Sequence, residues 1–124
     1  LEQEGVDVSM FEGFYYLTPF AYTATDAATV SFVSKFNALA GNNPNQFAAD
    51  AYDVVYAIYN ALVEAGATAD MSAQDMGELL CKTFQGGFTY SGLTGSNMTW
   101  NENGAVVKAP LAFQVKDGKL TAAE

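Results

Sequence analysis

Residues 43–66, Asn-Pro-Asn-Gln-Phe-Ala-Ala-Asp-Ala-Tyr-Asp-Val-Val-Tyr-Ala-Ile-Tyr-Asn-Ala-Leu-Val-Glu-Ala-Gly, restrict what this chain can fold into more than any other stretch. They predict a long helix entered through a proline-containing loop and stopped by Gly66. A surface helix shows one apolar stripe and one polar face. Here Tyr52, Val55, Ile58, Tyr59 and Leu62 crowd one side, while Ala51, Val54, Ala57 and Ala61 occupy another. Such a helix is expected to be covered on more than one side, and 124 residues offer little material to cover it.

A chain of this length fits one domain. Half of its residues are hydrophobic, which favours a packed globular protein over disorder. The 14 acidic residues face five lysines, with no arginine and no histidine. Nucleic acid is therefore a poor candidate partner, since phosphate binding relies on clustered cations. Anionic membrane surfaces are disfavoured for the same reason. Residues Leu1-Glu2-Gln3-Glu4-Gly5 lack a basic region followed by an apolar core, so no targeting segment is legible there. Cys81 is the single cysteine, and its place in Leu79-Leu80-Cys81 predicts a buried, inert thiol.

The element order reads as a strand, three helices and then β-hairpins, an α/β arrangement. Residues 12–20, aromatic-rich and closed by a proline, predict a strand. Thr25-Asp26 supplies a cap and a first-turn acid for a helix whose apolar positions Val30, Phe32, Val33, Phe36, Leu39 and Ala40 repeat at three and four, ending at Gly41. Ser72-Ala73-Gln74-Asp75 resembles a capping box and opens a short helix stopped by Gly86-Gly87. Asn101-Glu102-Asn103-Gly104 and Asp117-Gly118 signal two hairpins.

Catalytic chemistry has little to work with. Without histidine, no Ser-His or Cys-His pair can exist. Asp50 and Asp53, three residues apart, share a helical face; they could hold one proton between them, or simply oppose the helix dipole. Asp70, Asp75 and Glu78 lack the alternating spacing of a calcium loop, and no glycine-rich phosphate loop follows a strand, so no metal and no cofactor is expected. Phe47 is more suggestive. It stands at the start of the long helix beside an Asn-rich loop, where helix amides and the positive dipole end suit a carboxylate and the ring could close over its apolar part. It could equally staple the helix start to its own first turns.

Taken together, Glu12-Gly13-Phe14-Tyr15-Tyr16, Phe32-Val33 through Phe36, Pro44 through Asp53, Gly92-Leu93-Thr94-Gly95, Thr99 through Gly104 and Phe113 through Lys119 resemble the C-terminal part of branched-chain amino acid (leucine/isoleucine/valine) binding proteins of ABC importers. The resemblance runs through nearly the whole chain in order. It implies part of a type I periplasmic-binding fold: two α/β lobes, crossed three times by the chain, closing on a ligand in the cleft. Residues 1–20 and 88–124 would be second-lobe-like, and 22–84 first-lobe-like helices. It further implies an extracytoplasmic protein, periplasmic or lipid-anchored, that binds rather than catalyses. Its partners would be a small amino acid and an ABC permease, and upstream segments with a lipoprotein-type signal would complete it. Phe47 matches the family's aromatic ligand contact, with Asp50 a second candidate. The long helix would then pack on a sheet this chain lacks, or on a second copy of itself. Related family members carry amides, urea or aromatic acids. Two readings from other classes are a sugar-binding module stacking on Tyr15, Tyr16 or Trp100, and a carboxylate enzyme using Asp50 and Asp53.

Overall fold

The structure, a computed structural model, describes residues 7–123, without the side chain of Leu120. Residues 1–6, which belong to the range read as second-lobe-like, and Glu124 lie outside the described residues. The chain forms two compact units. One comprises the described residues up to Gln46 together with Pro110 onward; the other is Phe47–Ala109.

In the first unit a 3-10 turn, Val8–Phe11, precedes strand β1, Tyr15–Thr18. Helix α1, Ala27–Ala40, follows. Strands β4, Leu111–Lys116, and β5, Lys119–Ala122, complete an antiparallel sheet of order β1-β4-β5. Tyr16 pairs with Phe113 on one side of the central strand and Ala122 pairs with Phe113 on the other. The strands at the two ends of the sequence thus meet directly. The β4-β5 connection is a two-residue turn in which Asp117 and Gly118 have φ of 53° and 68°, as a type I′ turn requires. Glu12 pins that turn: its carboxylate accepts from the Asp117 N–H at 3.0 Å and the Gly118 N–H at 3.1 Å. Phe113, Val115, Phe20, Ala21, Phe32 and Pro44 are buried. Phe20 meets Phe32 edge-on at 5.8 Å, and Phe32 meets Phe36 at 5.9 Å.

Asp26 itself caps α1, one residue later than a Thr25 cap with a first-turn acid would place it; Gly41, at φ 73°, closes the other end. The Asp26 carboxylate accepts from the Thr29 N–H at 2.9 Å, and hydrogen bonding from Thr29 holds its pKa below the usual 3.8. A carboxyl group depressed in the folded state contributes fully above pH 3.8, and that contribution is lost as pH falls through the folded value. Asp26→Asn caps about as well. It is expected to keep the neutral-pH stability and flatten the acid limb, whereas Asp26→Ala loses about 1 kcal/mol at neutral pH. Thermal unfolding followed by circular dichroism from pH 7 downward checks both.

The second unit holds helix α2, Gln46–Glu64, of which all but Gln46 lies in this unit, and α3, Ala73–Gln85. A short hairpin of β2, Thr99–Trp100, and β3, Val106–Val107, follows. Gly66 ends α2 as expected. The Ala67 N–H reaches Leu62 O and the Gly66 N–H reaches Val63 O, the paired bonds of a Schellman motif with Gly66 at φ 70°. Ser72 caps α3 through the Asp75 N–H, but Asp75 receives the Ser72 hydroxyl at 2.7 Å instead of the cap's backbone N–H, so the box is not reciprocal. The β2-β3 connection is also longer than a tight Asn-Gly turn. Asn101 stitches it by accepting from the Asn103 and Ala105 N–H groups, and within residues 101–105 only Gly104 takes a positive φ.

Two expectations are corrected here. Cys81 is exposed, because α3 buries none of its residues fully and Cys81 falls on its open side. And α2 is covered along one stripe only, Ala49, Asp53, Ala57 and Ala61, while Val54, Val55, Tyr59 and Val63 are each more than half exposed. The covered stripe is the one with small side chains, and the large apolar faces stand open.

Candidate functional site

The polar chemistry of the second unit gathers along the first half of α2. Residues 47, 50 and 53 recur at three-residue spacing, so they lie on neighbouring parts of the helix surface. Phe47, in the first turn, is 75% exposed and its ring is open to solvent. Asp50, a turn later, pairs with Lys108 Nζ at 2.9 Å. Asp53 is buried, 4% exposed, and accepts three hydrogen bonds from one loop: the Leu93 N–H at 2.9 Å, the Thr94 N–H at 2.8 Å and the Thr94 hydroxyl at 2.7 Å. Lys108 Nζ also donates to Thr94 Oγ1 at 2.9 Å, so one chain of bonds runs Asp50, Lys108, Thr94, Asp53. A charged pair satisfied in this way orders the groups it joins. The Asp53 charge reaches further. Burial, and then that carboxylate, pushes the Tyr90 phenol above its usual 10.0. Tyr52 is raised first by its hydrogen bond with Tyr56, whose ring lies 4.7 Å away, and then by burial and by the nearby charges.

The two aspartates thus have separate partners and do not form a proton-sharing pair facing a pocket, which is what a carboxylate enzyme on these residues requires. An aromatic platform for a sugar is not formed either. Trp100 is packed among Phe84 at 4.6 Å and Phe88 at 5.8 Å. Tyr15 and Tyr16 are exposed, but as successive strand residues they point to opposite faces of the sheet. Among the described residues no group of three or more His, Cys, Asp or Glu is placed to hold a metal ion, and no helix is long and apolar enough to cross a membrane.

The first unit contains an open groove of about 1000 Å³. Aromatic walls from Phe11, Phe14, Tyr16 and Phe20 face a rim formed by Asn42, Asn43, Asn45 and Gln46, and among the described residues no charged side chain lines it. Thr18, buried at its base, ties the end of β1 to that rim: its hydroxyl lies 2.9 Å from Phe20 O and 3.1 Å from Gln46 Oε1 and shares its one proton between them. Such a surface suits an uncharged or partly apolar group. Sequence reasoning read the aromatic run and the Asn-rich loop separately and had no signal that they meet. Gly92-Leu93-Thr94-Gly95 entered only as part of the family resemblance. The tight Gly-Leu-Thr-Gly loop with its hydroxyl was the one clue to the Asp53 cradle.

No family model matches the chain, and no curated protein matches it. Solved structures do. A protein described as a branched-chain amino acid ABC transporter from Rhodospirillum rubrum is 27% identical, with 91% of this chain and 31% of that one covered and a TM-score of 0.71. An ABC transporter substrate-binding protein from Desulfitobacterium hafniense in complex with Leu is 21% identical, covering 94% and 33% with a TM-score of 0.69. A branched-chain amino acid ABC transporter periplasmic ligand-binding protein from Burkholderia xenovorans is 18% identical, covering 93% and 31% with a TM-score of 0.71. The fold is therefore that of a portion of an ABC-transporter substrate-binding protein, the α/β periplasmic-binding architecture that the sequence resemblance implied. This chain spans about a third of the length of the structures it matches.

Proposed function

We propose that this chain is the C-terminal portion of an extracytoplasmic solute-binding protein that captures a small amino acid of the branched-chain type for an ABC importer. The observation that carries this is the shared fold over nine-tenths of the chain with proteins of that description, one of them solved with leucine. The open faces of α2 support it, since apolar surface of this extent marks an interaction site more often than a free surface. Their cover would come from first-lobe segments, or from a second copy when the chain is alone. Residues 22–84 would serve the first lobe, with 1–20 and 88–124 in the second. Phe47 would contact the ligand side chain. Asp50 would stand as a second contact; its pairing with Lys108 leaves it less charge to offer an ammonium group, so Phe47 carries the larger part. Recognition would end in binding and release, with a permease as the receiving partner.

Titration calorimetry with leucine, isoleucine and valine tests this. The full-length protein should bind at least one of them, and the 124 residues alone should give no measurable heat. In the full-length protein Phe47→Ala should weaken binding roughly 10- to 100-fold, the equivalent of about 1.5–3 kcal/mol for a buried aromatic ring. Tight binding by the isolated chain, or an unaltered affinity in Phe47→Ala, would refute the assignment.

A further inference from the structure

An aspartate in the eighth position of a nineteen-residue helix has no capping role, yet Asp53 is among the most buried polar residues described. Its burial depends on the loop that receives it. Residues 92–95 close on themselves through the Gly92 N–H donating to Gly95 O at 2.9 Å. This turns the consecutive N–H groups of Leu93 and Thr94 toward one point, and the Thr94 hydroxyl joins them there. Consecutive backbone N–H groups aimed inward form an anion-binding concavity. Lys108 stands behind it, donating to the same Thr94 oxygen that donates to the carboxylate, so the hydroxyl proton is directed at Asp53. Gly92 completes the fit: a Cβ there would overlap the Asp53 carboxylate.

We propose that residues 92–95, backed by Lys108, are a carboxylate receptor and that Asp53 is its built-in ligand. The loop is tied to α2 through recognition of one carboxylate, so an emptied receptor accepts a small free carboxylate in its place. This inference is independent of the solute-binding assignment.

The experiment is chemical rescue. Asp53→Ala vacates the cradle, and its thermal midpoint and the hydrogen exchange of the Leu93 and Thr94 amides are followed against formate, with chloride and formamide at matched concentrations. The expected result is a roughly tenfold or greater loss of protection at the two amides, restored in a saturable way by formate but not by chloride or formamide. The native chain should show no formate effect beyond that of chloride. A formate response equal to that of chloride, or equal in the native chain, would overturn the proposal. Should Asp53→Ala fail to fold, Asp53→Asn decides: it keeps the shape but turns an amide NH2 toward the donors. Selective loss of protection at Leu93 and Thr94 then supports the receptor, and full retention at both overturns it.

Discussion

Gly92→Ala is expected to lower the stability of the second unit by about 3–5 kcal/mol, the range for depriving a buried charge of its partners. The new methyl group and the Asp53 carboxylate cannot occupy the same space, and Asp53 can retreat only by giving up the three donors that hold it from the same loop. Either the loop lifts or the helix shifts. In both cases a carboxylate that is 4% exposed loses charge-assisted bonds that water does not replace. Set against a total of about 5–15 kcal/mol for a typical domain, that loss approaches unfolding. Urea titration should show a lower midpoint with an unchanged slope. Gly77, inside α3 with nothing within 4 Å of where its Cβ would stand, is the matched control. Gly77→Ala should stabilise by up to about 1 kcal/mol through helix propensity alone.

Phe113→Ala should cost the first unit about 3–5 kcal/mol, the usual price of emptying an aromatic core position. Phe113 is 5% exposed at the centre of β4, with Tyr16 of β1 and Ala122 of β5 as its cross-strand neighbours. Its removal strikes the only strand joined to both others. Leu111, on the same strand but 47% exposed, supplies the comparison, and Leu111→Ala should stay within about 0.5 kcal/mol. Denaturant unfolding of the two variants side by side checks the contrast. Equal effects would mean that the sheet is held by its ladder rather than by this ring.

Much of the secondary structure was legible because its signals act over a few residues. Asp26, Gly41, Gly66 and Ser72 each satisfy backbone groups within one turn of themselves, so identity and spacing place the ends of α1, α2 and α3, to within the one residue that separates Thr25 from the actual cap, Asp26. Asp117-Gly118 works the same way for the β4-β5 turn. Where the pattern misled, the cause was distance in sequence. Apolar periodicity in α2 pointed to its large side chains, but the covered stripe is the alanine row with Asp53, chosen by what packs there. The run Leu79-Leu80-Cys81 reads as core, yet Cys81 is exposed. Asp50 and Asp53 looked like a pair because they are three residues apart; their partners, Lys108 and Thr94, are 58 and 41 residues away.

Residue type and near neighbours were enough to set the order of strand, helices and hairpins and the ends of the helices, because those signals act within a turn of the chain. Which face of α2 is covered, the clasp of Glu12 on a turn 105 residues later, and the need for glycine at position 92 follow from contacts across the fold. Each of these depends on two distant segments sharing one small volume, where a single methyl group or an unpaired carboxylate costs more than any local preference returns.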